Sequence, residues 1–363
     1  MSRILTPIRW LARSPPRAFL VLFCLGFAVR VWTITLIPGD QIPPNPDWET
    51  GAVALSLLEK GEFADPYLIP TGPTAHMPPL QVGLFALLYK ILGYSFLGGL
   101  TRWLLVMAAH SATFALLPWL SGRMGLAREA GVIGGLLGAG IPHWPYELES
   151  FSALALAFLV VAFLNRWQGK GEKGSGADQK PPASERTGLA SLGLGFAAGV
   201  SFHLQPVLLP VVAGCLTFEG WWERNRRKGG GIPLVLLGIA LACLPWGWRN
   251  YRVLGEPYFI RSNLGLELYV GNHEGAHADI DVSSARRSFL HPRTDRTEAE
   301  RVLELGEGPY MMEKQREALD WIRANPGEFL RLTGTRVLYF WFGPLHRRSS
   351  AAPYFLLSLL ALI

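Results

Sequence analysis

Eight polar residues lie in or beside the segments that join the apolar runs of this chain, and their side chains suit acid–base and phosphate chemistry. A carboxylate that is partly desolvated beside an apolar segment becomes more basic toward a hydroxyl group. Arginine holds phosphate oxygens through two parallel hydrogen bonds and keeps its charge. The set therefore suits proton transfer and anion binding; its members are Asp47, Glu49, His76, Glu149, His203, Arg249, Arg261 and Asn263.

The first of these residues lie in a proline-rich, acidic segment, residues 38–79. Asp47 is either a general base or the N-cap of an amphipathic helix predicted from Trp48 to Lys60, with Glu49 in its first turn. His76 lies just before Pro78 and Pro79 in a segment rich in turn residues. It either meets a phosphate or is an ordinary interfacial histidine.

The later candidates also have structural alternatives. Glu149 begins an apolar run, where an ionisable residue is costly unless it faces a cavity, but it also suits a helix start. Arg249 either binds an anion or anchors at lipid headgroups. Arg261 falls in a strand-like run beside Ser262 and Asn263, which favours a role in binding. His203 falls at a break in an apolar run.

Composition and hydropathy place these residues in a membrane protein. Hydrophobic residues make up 50% and charged residues 17% of the sequence, whereas a soluble domain carries about 25% charged residues, and mean hydropathy is +0.22. Runs that approach the roughly 20 residues needed to span a bilayer predict about eight crossings. They cover residues 18–37, 102–120, 130–145, 151–167, 188–222 (two crossings with a break at 203–206), 232–246 and a last run from Pro353, which is a short anchor or the start of a longer helix.

Basic residues predict the topology of these crossings. Arginines precede the first run without a cleavage site, and further basic residues mark the segments 122–128, 166–186 and 222–228 as cytoplasmic. The segment 166–187 is also rich in Gly, Ser and Pro and reads as a flexible linker. The run 79–92 is too short to span and is interpreted as an interfacial or re-entrant helix. The candidate residues then gather on the outer side, and the net charge of +6 needs no nucleic acid partner.

The segment from Arg249 to about Arg336 is the longest polar part of the chain. Its residues 258–263 and 266–270 have strand-like content, and helices are predicted over 298–305, over 310–324 and from the Asn325–Pro326 pair onward. The sequence therefore predicts a small α/β segment outside a polytopic α-helical membrane protein. His273, His277 and His291 lack metal-ligand spacing and are expected to be solvated. The three cysteines fall in apolar runs and predict packing, not a disulfide or zinc site.

Together these features resemble the bacterial membrane glycosyltransferases of the C-type fold, in the branch of the protein O-mannosyltransferases and the lipid A aminoarabinose transferase. The resemblance rests on the first outer loop with its Asp, the Pro–Pro helix entry, the outer Glu and a late Pro-Trp-x-x-Arg-Asn-Tyr followed by Arg-Ser-Asn-x-Gly-x-Glu-Leu-x-x-Gly-Asn. It implies an enzyme that transfers a sugar from a polyprenyl phosphate to a glycan, lipid or protein acceptor, with inversion.

The resemblance also implies roles for individual residues. Asp47 would act at the acceptor and Glu149 would be the second acidic residue. His76 takes the place of a lysine that contacts the donor phosphate in close relatives, Arg249 and Arg261 would assist it, and Gln205 stands where many relatives have arginine. A transmembrane catalytic module of residues 1–248 would be followed by an extracytoplasmic segment of residues 249–350 and a final run of residues 353–363.

The sequence alone leaves open whether a metal is needed and which of three classes of protein this is: a glycosyltransferase, a transporter or an assembly subunit. Some members of the superfamily use a divalent ion, for which Asp47 and Glu149 would supply oxygen ligands. Two other classes of protein fit the same hydropathy: a flippase or transporter of lipid-linked glycans, and a non-catalytic assembly subunit. Each of the three readings places the chain in the bacterial cytoplasmic membrane, with its N-terminus in the cytoplasm and its site outside.

Overall fold

The computed structural model describes residues 2–34, 49–141, 147–171, 183–226 and 231–344. Most of these residues lie in sixteen α-helices. The described residues contain no β-strand, and one isolated antiparallel bridge pairs Ala64 with Pro73. The chain divides into two compact units: unit 1 comprises residues 1–60 and 78–249, and unit 2 comprises residues 61–77 and the chain from Asn250 onward.

Unit 1 consists of helices, and most of the longer ones follow the predicted apolar runs. Its helices are α1 Ser2–Ala12, α2 Pro15–Ile34, α3 Glu49–Lys60, α4 Pro79–Leu92, α5 Phe96–Ala115, α6 Leu117–Arg123, α7 Arg128–Gly140, α8 Glu147–Gly171, α9 Ala183–Phe202, α10 Leu208–Arg226 and α11 Ile232–Leu254, whose last residues belong to unit 2.

Local signals set several helix boundaries of unit 1. Pro79 occupies the first turn of α4, where the missing N–H costs nothing, and the Ser95 hydroxyl caps α5 by accepting from the Gly98 N–H at 3.3 Å. The predicted break at residues 203–206 is confirmed, because α9 ends at Phe202 and α10 begins at Leu208. The helix predicted from Trp48 to Lys60 is confirmed from Glu49 onward.

Three helices of the described part are long and apolar enough to cross a membrane: Pro15–Thr33, Glu149–Gln168 and Ile232–Leu254. A fourth crossing results if α5 and α6, which meet at a bend of 40°, form one broken span. The runs at 79–92, 188–202 and 208–221 form shorter apolar helices. The prediction of a helical membrane protein is thus supported, whereas the count of eight crossings stays a prediction, and the run from Pro353 lies outside the described residues.

Glycines let the helices of unit 1 approach closely. A Cβ on Gly135 of α7 would lie 2.6 Å from a methyl group of Leu22, and one on Gly131 would lie 2.5 Å from the Leu117 carbonyl oxygen. A Cβ on Gly195 of α9 would overlap the Val235 carbonyl of α11. Small residues four positions apart allow this backbone contact between apolar helices.

Arg30 joins α2 to the end of α7. Its side chain is fully buried and donates to the carbonyls of Gly26 (2.9 Å), Gly138 (2.9 Å) and Ala139 (3.3 Å). The last carbonyls of a helix have no partner within the helix and carry partial negative charge. Arg30 therefore caps α7 with a positive charge from a different helix.

Helices occupy both ends of the linker predicted for residues 166–187, and a buried ion pair lies at its first residue. Helix α8 continues to Gly171 and α9 begins at Ala183, so Arg166 is helical and not part of a loop. Its Nε donates to both carboxylate oxygens of Glu219 at 2.9 and 3.0 Å, and its Nη1 donates to Ser191 at 2.6 Å. Likewise α10 continues to Arg226, into the predicted loop 222–228.

Unit 2 packs its helices around a small apolar core. Its helices are α12 Leu264–Gly271, α13 Ile280–Ala285, α14 Arg296–Leu305, α15 Glu307–Ala324 and α16 Pro326–Phe342. The core contains Tyr67, Leu266, Val302, Tyr310 and Met311. Tyr67 belongs to residues 61–77, so this loop contributes to the core of unit 2.

The α/β prediction for this segment is wrong in the described residues. Residues 266–270 form most of α12, residues 258–263 form no strand, and Arg249 lies within α11. A Cβ on Gly265 would overlap the Met311 carbonyl. This close contact of α12 with α15 overrides the β propensity of the sequence. The helices predicted at 298–305, 310–324 and after Asn325 are confirmed.

Candidate functional site

The structure distributes the predicted site residues over both units. His76, Arg261 and Asn263 belong to unit 2, whereas Glu49, Glu149, His203 and Arg249 belong to unit 1. Asp47 lies outside the described residues. The candidate site described below is therefore the part of unit 2 that contains His76 and Arg261.

The loop that carries His76 is held by its own hydrogen bonds. The Thr74 N–H donates to the Phe63 carbonyl at 3.0 Å, and the Asp65 N–H donates to the Gly72 carbonyl at 3.0 Å. The Asp65 side chain in turn accepts from the Gly72 N–H at 2.8 Å. Asp65 has φ of +60°, which this short polar residue tolerates. These hydrogen bonds hold residues 63–65 against residues 72–74, directly before Ala75 and His76.

A buried carboxylate fixes the end of this loop. Glu307, in the first turn of α15, is 5% exposed. Its carboxylate accepts hydrogen bonds from the Thr74 hydroxyl, from the Ala75 N–H at 2.8 Å and from the Ser262 hydroxyl at 2.7 Å. Hydrogen bonds to a buried charged group contribute about 1.5–3 kcal/mol each. Sequence reasoning missed Glu307, because its partners lie 45 to 233 positions away along the chain.

Backbone contacts complete this arrangement, which we call the Glu307 clamp. The Ser262 N–H donates to the Ala75 carbonyl at 3.1 Å, and the His76 N–H donates to the Thr74 hydroxyl oxygen at 2.8 Å. The Arg261 Nε donates to the His76 carbonyl. Two predicted site residues, His76 and Arg261, are therefore in direct contact although they lie 185 positions apart. The clamp consists of Thr74, Ala75, His76, Arg261, Ser262 and Glu307.

His76 is a neutral histidine in this structure. It is 2% exposed, and burial, with Arg261 and His291 nearby, lowers its pKa well below the usual value. Its Nδ1 lies 3.1 Å from the Tyr67 hydroxyl, and its ring meets the rings of Tyr67 and His291 edge to face at 5.1 and 5.9 Å. Burial therefore favours the neutral form of His76, which can offer a phosphate a hydrogen bond.

His291 corrects the prediction that the later histidines are solvated. It is 7% exposed, and His273 is 5% exposed. Burial, with Arg293 and Arg261 nearby, lowers the pKa of His291 to about 4. The Arg293 N–H donates to its Nδ1 at 3.1 Å, so the proton of the neutral ring lies on Nε2.

His291 is not arranged to bind a metal ion in this structure. One ring nitrogen of His76 and one of His291 lie within 4.8 Å of each other, which is near enough for both to face one ion. However, Nδ1 of His291 already accepts a hydrogen bond and its Nε2 carries the proton, whereas a ligand nitrogen must offer a lone pair. Arg261 and Arg293 add positive charge nearby.

The remaining predicted residues have local roles in the structure. Glu149 is exposed at the start of α8, and Glu49 is half-buried in the first turn of α3. The Arg249 guanidinium lies over the Trp246 ring at 5.1 Å. The Asn263 amide donates to Glu267 at 2.7 Å. These surroundings do not test the roles predicted for the four residues.

His203 is buried at the break between α9 and α10. Its Nε2 lies 3.3 Å from the Ala242 carbonyl, which can only accept, so the proton lies on Nε2 and Nδ1 is an acceptor. Its own carbonyl accepts from the Leu80 N–H at the start of α4 at 3.4 Å. The backbone carbonyl of His203 therefore connects the break between α9 and α10 to the first turn of α4.

The described fold and clamp define a helical protein with candidate membrane spans and a buried polar cluster that carries a permanent cation. No family model, curated protein or solved structure matches the chain.

Proposed function

We propose that this protein is an inverting glycosyltransferase that moves a sugar from a polyprenyl phosphate to a glycan, lipid or protein acceptor at the outer face of the bacterial cytoplasmic membrane. The observation that carries the proposal is the contact between His76 and Arg261. Residue chemistry and the family resemblance assign both residues to the donor phosphate. Their contact in unit 2 supports one phosphate-binding site.

The two residues would contribute differently to binding. The Arg261 guanidinium keeps its charge and offers several N–H donors in one plane, of which Nε is used by the His76 carbonyl. Its Nη2 lies 3.8 Å from the sulfur of Met77, a weak acceptor. Arg261 would hold the phosphate as its charge grows, while neutral His76 would supply a hydrogen bond.

The proposed reaction is a single displacement at the anomeric carbon. An oxygen of the acceptor forms the new bond to that carbon, and the bond from the carbon to the phosphate oxygen breaks, so the lipid phosphate leaves with the electron pair. Asp47 takes the proton of a hydroxyl acceptor, and Glu149 is the second acidic residue; both roles follow from the family resemblance. Removing a single group that stabilises charge in the transition state typically lowers the rate by about 100-fold or more.

The proposal is tested by transfer of a radiolabelled sugar from a pool of polyprenyl-phosphate sugars by membranes that contain the protein. Arg261→Gln should lower the rate roughly 100-fold. Arg296→Gln is the matched control, because Arg296 is an exposed arginine of the same unit that pairs with Glu300; its rate should stay within about twofold, as exposed pairs contribute less than about 1 kcal/mol.

Asp47→Asn, compared at equal expression, tests the proposed base in the same assay. Equal rates for wild type and Arg261→Gln would remove Arg261 from the donor site. Absence of transfer by wild type with every donor in the pool would refute the proposed activity. Movement of the donor lipid across the bilayer without transfer would identify a transporter instead.

A further inference from the structure

Glu307 connects the two segments that carry the proposed phosphate ligands. It bonds to Thr74 and Ala75, which directly precede His76. It also bonds to Ser262, which directly follows Arg261. The carboxylate can therefore fix the positions of His76 and Arg261 without contacting the phosphate itself.

The hydrogen bonds of the clamp leave little freedom to residues 74–76. The Thr74 hydroxyl donates to Glu307 and accepts from the His76 N–H. It therefore bridges the carboxylate and the His76 backbone, so that a shift of one should move the other. The Ala75 N–H and carbonyl and the His76 carbonyl are also engaged, by Glu307, Ser262 and Arg261 respectively. Buried backbone groups that lose such partners pay their full desolvation cost.

We propose that Glu307 is the positioning residue of the donor-phosphate site, which holds His76 and Arg261 at the separation that a phosphate requires. The inference rests on the proposed function for the identity of the ligand, and on the clamp for the mechanism. Misplacing a binding group by about 1 Å can cost on the order of 100-fold in rate, so a loosened clamp should weaken use of the donor while leaving the acceptor site unchanged.

The first test is the kinetic effect of Glu307→Gln. The amide keeps the size of the side chain and one acceptor oxygen, but it replaces the other oxygen with a donor group and removes the negative charge. We expect the KM for the polyprenyl-phosphate sugar to rise roughly 10-fold and the KM for the acceptor to stay within twofold.

Glu298→Gln is the matched control for lost stability. Glu298 is another largely buried glutamate of unit 2, which accepts from Tyr310 at 2.7 Å and pairs with Lys314 at 3.1 Å. It has no role in the clamp. Glu298→Gln should lower the thermal stability of the protein but leave the KM for the donor unchanged. If both variants raise that KM equally, Glu307 is structural only.

Thr74 supplies a second variant that leaves the carboxylate in place. Thr74→Val keeps the shape of the side chain but removes the hydroxyl that links Glu307 to the His76 N–H. It should raise the KM for the donor as Glu307→Gln does, and Thr74→Ser should restore it. A normal donor KM in Thr74→Val would overturn the proposed transmission through this hydroxyl.

Hydrogen exchange separates failure of the clamp from failure of the proposed function. Glu307→Gln should accelerate exchange at the Ala75, His76 and Ser262 amides, and Glu298→Gln should not. If wild type transfers no sugar, the proposed activity fails and exchange alone judges the positioning role. If wild type transfers sugar but exchange at these amides is unchanged in Glu307→Gln, the positioning role is refuted and the activity stands.

Discussion

Replacing Arg166 should destabilise the protein far more than replacing Arg166 and Glu219 together. Glu219 is 1% exposed and Arg166 is 9% exposed. Both oxygens of the carboxylate accept from the Arg166 Nε at 2.9 and 3.0 Å. Arg166→Met would therefore leave a buried carboxylate without its positive partner.

The expected magnitude follows from this burial. Breaking a buried ion pair on one side costs about 3–5 kcal/mol, whereas replacing both partners with apolar residues of similar volume is often neutral. At roughly 2 °C per kcal/mol for a large domain, Arg166→Met should lower the Tm by about 6–10 °C. Arg166→Met combined with Glu219→Met should recover most of that loss.

Thermal unfolding in detergent, followed by tryptophan fluorescence, measures the complete double-mutant cycle: wild type, both single variants and the double variant. A coupling free energy of several kcal/mol would agree with a buried, desolvated pair. A coupling below about 1 kcal/mol, as in exposed pairs, would show that water reaches Arg166 and Glu219. Equal losses in the single and double variants would refute the argument that an uncompensated charge causes the loss.

Three further predictions concern pH, packing and topology. Burial lowers the pKa of His291 to about 4 in the folded protein, whereas the same histidine in the unfolded chain takes up a proton below about pH 6.5. The free energy of unfolding should therefore fall by roughly 3 kcal/mol as pH drops from 6.5 to 4, and His291→Gln should lack this component in a pH series of unfolding curves. Gly195→Ala would press a methyl group into the backbone of α11, whereas Gly193→Ala meets nothing within 4 Å; only the first should lower the Tm. In a chain without its native cysteines, Leu126→Cys and Val207→Cys, both exposed, should react with an impermeant maleimide from opposite faces of the membrane, cytoplasmic and outer respectively; labelling from one face would refute the proposed topology.

Local sequence signals were sufficient for much of the helical structure. The apolar spacing of residues 298–305 and 310–324 and the Asn325–Pro326 pair each predict a helix, and each helix is present. The break after Phe202 was predicted from polar residues and a proline within an apolar run. In these cases the deciding interactions lie within a few residues of each other.

Contacts between distant residues explain where sequence reasoning failed. Residues 266–270 have the composition of a strand, yet Gly265 allows α12 to lie against the Met311 backbone. Arg166 reads as a loop cation until its partner, 53 positions later, is known. Glu307 has no local motif, and its importance follows only from Thr74 and Ser262. His291 lacks metal-ligand spacing, but it is buried beside His76.

The cap that Arg30 places on α7 has a consequence for biosynthesis. The guanidinium and the Ala139 carbonyl that receives it are 109 positions apart, so at about 5–20 residues per second the ribosome needs roughly 5–20 s to make the second after the first. Arg30 lies near the end of the candidate span Pro15–Thr33, where an arginine costs less to insert than the roughly 2.5–3.5 kcal/mol at the centre of a membrane helix. If α2 crosses the membrane, Arg30 lacks its carbonyl partners on α7 during that interval, and we expect its side chain to extend toward the nearer membrane surface until α7 has been made. We therefore expect α2 to reach its final position only after α7 has been inserted beside it.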